Sequence, residues 1–256
     1  MTPRTLSAEY ASRYERLVER VARTPDARTQ TLNSFWPMVG HRFEDGLLIV
    51  GRAVNGWGED WTAEGAGNPA SRRRIVESTR ALSEGDSRCP MLWVTDHEAN
   101  RKPGEWNPRR SAFWRVIEKI ALRGAVPQGE AERWPSFLAW SNLYKVSPKP
   151  PRSGQGNPEG ALRAVQVPLA ADLLALEVKE MAPARVLVLT GLGWFRPFAE
   201  VLGLPIRSWD APVEGKRYIE GVADHGGRRW VIAPHPQSRP DEPIVSQALS
   251  ALGLGR

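Results

Sequence analysis

Apolar residues fall along this chain in two periods. Four short unbroken runs, at 47–50, 137–140, 185–191 and 229–234, are each bounded by glycine, proline or polar residues. Runs of this length suit strands buried on both faces; β-branched Ile49 and Val50 and the glycine stops favour strand over a short buried helix. Between the runs the apolar spacing changes to three and four. Tyr10, Tyr14, Leu17, Val18 and Val21 mark an amphipathic helix over 6–23. Phe113, Val116, Ile117 and Ile120 mark another, with Ser111 as its N-cap. Leu162, Val165, Leu169, Leu173 and Leu176 form a stripe over 159–181, with Pro168 either kinking that helix or opening its second half. A short helix follows Gly191, and one from about 241 to 252 closes the chain.

The intervening stretches are polar. Residues 24–45 read as a loop leading to the first strand. Residues 58–90 form a polar connection with a turn at 83–86, and 91–100 a short apolar run with a polar end. Residues 101–110 and 149–158 are loops too rich in proline, glycine or charge for regular structure. Strands alternating with helices predict an α/β fold: a three-layer αβα arrangement around a central, mainly parallel four-stranded sheet. One domain over 1–256 is expected, with residues 1–40 a helical extension packed on it.

Composition narrows the function classes. The 35 Lys and Arg exceed 29 Asp and Glu, for a formal charge of +6, and favour an anionic partner such as nucleic acid. Eleven tryptophans supply core and, in part, stacking surfaces for bases. The single cysteine, Cys89, excludes an intrachain disulfide framework and a cysteine-built zinc or iron–sulfur centre. His41, His97, His225 and His235 lack metal-ligand spacing, so no metal is expected. There is no apolar run of membrane-spanning length and no signal-peptide core at the N-terminus, which predicts a soluble, cytoplasmic protein with no membrane partner. Gly191-x-Gly193 lacks the third glycine of a dinucleotide fingerprint, which argues against an NAD site. The basic run Arg72–Arg74 reads as a solvated face.

Ligands of open parallel sheets sit beyond the carboxyl ends of the strands. Asn55, Asn142, Lys145 and His235 all fall at or beyond such an end, so the fold would gather them along one rim. In the loop after the first strand, Gly51, Gly56 and Gly58 permit close backbone approach, and Arg52 and Asn55 offer hydrogen bonds. A plain surface turn is the alternative reading of that loop.

In order and content these motifs resemble the uracil-DNA glycosylase-like superfamily. LLIVGRAVNG is similar to its opening strand and loop, WSNLYKVSPKPPRSGQGNPEG to its second strand and Pro-rich loop, and VIAPHPQSRP to its terminal His-Pro-Ser motif. The resemblance implies that Asn142 reads the polar edge of an extruded base. His235 would hydrogen-bond the base oxygen that gains charge as the glycosidic bond breaks. Gly51 lies under the nucleotide, and Trp57 or Trp61 supplies an aromatic face. Ser238 and Arg239 lie where the loop after His235 would pinch phosphate, Arg239 as the wedge; Lys145 and Arg152 are further candidate DNA contacts, and the loop that carries Lys149 and Arg152 either follows a phosphate backbone or is an ordinary surface connection. The chain departs from the pattern at Arg52-Ala53, where active members place Asp, Asn or Glu, and at Gln237, which separates Pro236 from Ser238. Asn55, Glu59 or Asp60 would then position water. The four cysteines of the iron–sulfur branch are missing.

The expected activity is removal of a deaminated or damaged, uracil-type base from lesion-containing or single-stranded DNA, by a monomer, with no cofactor. Two other expectations stand beside it: a binding protein that kept the scaffold and lost the chemistry, and a hydrolase of a small nucleoside-like substrate.

Overall fold

In the computed structural model, residues 5–53, 58–84, 89–95, 108–149, 156–210 and 215–254 are described. The chain opens with helix α1 (Ala8–Ala22), whose inner stripe is the five residues expected from the spacing. Ser7 caps it, accepting from the Tyr10 N–H, and donates through its own hydroxyl to Glu180 at 2.6 Å. After the short helix α2 (Pro25–Arg28) come strands β1 (Leu32–Ser34) and β2 (Met38–Val39), each too short to show an alternation along the sequence.

Strand β3 (Leu47–Ala53) is the first of the four expected runs. The others are β4 (Leu138–Tyr144), β6 (Arg185–Leu189) and β8 (Arg228–Ala233). These four are parallel neighbours in the order β4-β3-β6-β8. The sheet has six strands rather than four, because β2 joins antiparallel beside β4 and β7 (Gly221–His225) beside β8. Both additions are edge strands, where half of the residues need not be apolar. In β7 the last two residues are exposed. A separate two-stranded ribbon pairs β1 with β5 (Val146–Pro148).

Successive residues of each central strand feed opposite faces. Leu48, Val50, Val186 and Val188 join the core beneath α1, α5 (Gly160–Met181) and α6 (Leu192–Val201). Leu47, Ile49, Leu187 and Leu189 join the core beneath α4 (Ala112–Gly124) and α7 (Asp241–Leu252). α5 runs unbroken through Pro168. Its buried face includes Gln166 and Glu177, so the apolar stripe alone did not describe it. α4 and α7 are also linked at the surface: Arg115 and Lys119 reach Asp241, and Arg123 reaches Glu242 at 2.8 Å.

The polar connection at 58–90 contains a helix, α3 (Pro69–Glu84). It buries only Val76, Thr79 and Ser83, too few apolar positions to show a period. Its basic run is not merely solvated, because Arg72 and Arg73 face Glu19 and Glu15 of α1. The apolar run 92–94 forms a 3-10 turn. No helix among the described residues is long and apolar enough to cross a membrane.

Candidate functional site

The rim expected at the carboxyl ends of the parallel strands is organised by the pairing of β3 with β4, which sets Gly51 opposite Asn142 and Ala53 opposite Tyr144. Pleating then sends neighbouring residues to different faces. Gly51 and Asn142 follow Ile49 and Trp140 onto the α4 side, while Arg52 follows Val50 onto the α5 and α6 side.

On the α4 side, Asn142 is buried and its Nδ2 has no hydrogen-bond partner among the described residues. A buried amide donor without a partner costs about 1–3 kcal/mol, a cost that a ligand accepting from it would offset. The Asn142 side chain packs over residue 51, which has no side chain to displace it. A Cβ on Gly51 would collide with Asn142 Oδ1 and stand 3.2 Å from the Phe113 ring. Phe113, at the start of α4, is also stacked with His235 at 6.0 Å between centroids and 13° between planes. Gly51, Phe113, Asn142 and His235 thus form one chain of neighbours around the strand ends.

His235 follows β8. Burial, then the positive charges of Arg52 and Arg239, push its pKa down to about 4. The ring is therefore neutral at pH 7. Its Nδ1 accepts the Gln237 N–H at 3.3 Å, which leaves the single ring proton on Nε2 as a donor. The inserted Gln237 thereby supplies the backbone group that sets the tautomer. Ser238 has a left-handed backbone (φ 61°), and the turn lets Arg239 Nε donate to the His235 carbonyl at 3.2 Å. Arg239 is exposed and folded back on this loop, which it braces.

Lys145, expected to contact DNA, is not available to it. It is fully buried, and its three N–H groups go to Glu177 Oε1, Ser141 Oγ and the Asn142 carbonyl, each at 2.6 Å. Glu177 also accepts from Tyr10 and Ser141, both at 2.6 Å. Burial pushes the Lys145 ammonium below its ordinary pKa, with Glu177 opposing, and raises the Tyr10 phenol. Directly behind Asn142, this network fixes the end of β4. The partner of Lys145 lies on the buried face of α5, so the strand itself carries no sign of it.

The other expected contributors divide. Trp61 belongs to the core, donating its indole N–H to Ser34 Oγ at 2.9 Å, and Phe113 is the aromatic ring beside the strand ends. Phe113 was legible only as the first inward position after the Ser111 cap. Asp60 is engaged by Lys149 and by Asn33, and Glu59 accepts from Ser78 at 2.9 Å, so neither carboxylate is turned to His235. Lys149, expected on phosphate, is paired with that aspartate. Asn55 and Trp57 (within 54–57) and Arg152 (within 150–155) lie outside the described residues. No group of three or more His, Cys, Asp or Glu side chains arranged to hold a metal occurs among the described residues.

A surface depression of about 410 Å³, lined by Arg185, Asp224, Arg228 and Arg229 among others, opens at the amino ends of the parallel strands. It lies at the opposite end of the sheet from the rim that carries Asn142 and His235, and nothing in it is arranged like those residues.

No protein-family model matches this chain, and no curated protein sequence matches it.

Proposed function

We propose that this chain is a DNA glycosylase with the uracil-DNA glycosylase-like arrangement, which receives a flipped-out deaminated or damaged base and hydrolyses its N-glycosidic bond. The observation that carries this reading is the Asn142 side chain, its Nδ2 unpartnered and its Oδ1 packed over Gly51, beside the Phe113 ring and the neutral His235. A planar base would rest against Phe113 and accept from the amide through a ring carbonyl. As the bond from C1′ to the base nitrogen breaks, its electron pair leaves with the base, and negative charge grows on the base oxygen. The His235 Nε2–H donates to that oxygen, and the nearby positive charges of Arg52 and Arg239 favour the same anion. Water adds to C1′ and its proton passes to the departing base anion, giving the neutral base and an abasic sugar hydroxyl.

The test is a panel of labelled oligonucleotides carrying uracil, hypoxanthine or xanthine, single- and double-stranded, with wild type, Asn142→Ala and His235→Ala. Cleavage by wild type that falls at least about a hundredfold in both variants is expected, the scale of losing one such donor. Cleavage unchanged in either variant removes that residue from the scheme, and no cleavage of any substrate removes the glycosylase reading.

One observation favours a second reading, a nucleic-acid-binding protein without turnover. The charges acting on His235 are both positive, and Arg52 occupies a position where an acid would assist a sugar cation. Salt-sensitive binding without cleavage in the same assay would select it.

A further inference from the structure

On the α5 and α6 side of the same strand ends, two guanidinium groups are held on one indole. The Arg52 Cζ lies 4.4 Å from the centroid of Trp194, and the Arg163 Cζ lies 4.0 Å from it. Arg163, from α5, is further fixed by donating Nε–H to the Tyr144 hydroxyl at 3.1 Å. Arg52, Arg163 and Trp194 are all partly exposed, so solvent reaches them.

Both guanidinium groups lie against the same ring, and their like charges repel. The Arg163 charge, after burial, pushes the Arg52 pKa below its ordinary value. Among the described residues neither arginine forms an ion pair with a carboxylate, and the buried Arg52 Nε has no hydrogen-bond partner. Stacking on Trp194 stabilises each cation but does not remove their mutual repulsion. An anion does, and a planar guanidinium pair held in place suits the oxygens of a phosphate.

We infer that Arg52 and Arg163, seated on Trp194, form a phosphate clamp. Its place gives it meaning. Arg52 is the residue after Gly51 and its charge reaches His235, so the clamp borders the base pocket. A nucleotide with its base at Asn142 would have its own phosphate beside it, and that phosphate belongs either to a DNA backbone or to a free nucleotide. This assignment of the ligand rests on the base-binding reading of the preceding section; the clamp itself does not.

The experiment is calorimetric titration of the full chain, in phosphate-free buffer at low ionic strength, with inorganic phosphate, deoxyuridine monophosphate and an internally phosphodiester-linked single-stranded oligonucleotide. The variants are Arg52→Gln, Arg163→Gln and the double substitution, with Arg163→Lys as a charge-retaining control. Affinity should fall about tenfold for each guanidinium removed and about a hundredfold for both, the scale of charge-assisted hydrogen bonds. Arg163→Lys should lose less than Arg163→Gln. If the double variant does not fold, Arg163→Gln and Arg163→Lys, on a partly exposed helix position, decide the matter alone.

Parallel losses for the oligonucleotide support a backbone phosphate. Losses confined to inorganic phosphate and the mononucleotide support a free nucleotide. Equal affinity of wild type and the glutamine variants overturns the clamp, as does failure of wild type to bind any of the three ligands. Clamp-dependent binding by a chain that cleaves no lesion would uphold the clamp and remove the glycosylase. Oligonucleotide cleavage with the same KM in wild type and double variant would do the reverse.

Discussion

Lys145→Met tests the account of the buried network most directly. Methionine keeps most of the apolar stem volume, so little cavity forms, and the perturbation is chiefly the loss of the ammonium group. Three hydrogen bonds disappear, to Glu177, Ser141 and the Asn142 carbonyl. Glu177, fully buried, retains only the donors of Tyr10 and Ser141. Removing one member of a buried ion pair costs about 3–5 kcal/mol, because the remaining charge is left without compensation. For a chain of this size that corresponds to a fall in melting temperature of roughly 6–20 °C, at about 2–4 °C per kcal/mol. Urea unfolding followed by tryptophan fluorescence measures the same quantity. The double variant Lys145→Met/Glu177→Gln keeps a neutral acceptor for Tyr10 and Ser141 and should recover a substantial part of the loss, so the coupling between the two sites should exceed about 1 kcal/mol. A cost under about 1 kcal/mol for Lys145→Met, or strict additivity with Glu177→Gln, would refute a buried charge network behind Asn142.

Gly51→Ala should displace the Asn142 amide, because the new Cβ meets Asn142 Oδ1 and the Phe113 ring; base-dependent binding should fall at least about tenfold, measured by titration with a uracil-containing oligonucleotide, from the loss of one well-placed hydrogen bond. Phe113→Ala should cost about 3–5 kcal/mol in urea unfolding as a large ring leaves the core beneath α4. The depressed His235 pKa has a definite sign: the folded value of about 4 lies below the ordinary 6.5, so its contribution to stability is fully present above pH 6.5 and is lost as the pH falls toward 4. Partial exposure keeps that contribution below about 3 kcal/mol. Melting temperatures between pH 7 and 4 should fall less steeply in His235→Asn than in wild type, and equal slopes would deny the neutral, partly buried ring.

Periodicity along the chain determined the four parallel strands and the helices that begin at Ala8, Ala112 and Asp241, because each buries a continuous apolar stripe or run. It also placed Asn142 and His235 at strand ends, where parallel topology gathers ligand-binding groups. It could not reveal β7, whose last two residues are exposed, or α3, whose buried face is mostly polar, nor the pairing of Lys145 with Glu177 across 32 positions of sequence. Whether a lysine after a strand faces solvent or a carboxylate depends on which helix crosses behind it. Packing likewise decided that Phe113, rather than Trp61, lies against Gly51. The arrival of Arg52 and Arg163 on one indole follows from strand pleat and helix position together, which no local stretch of sequence encodes.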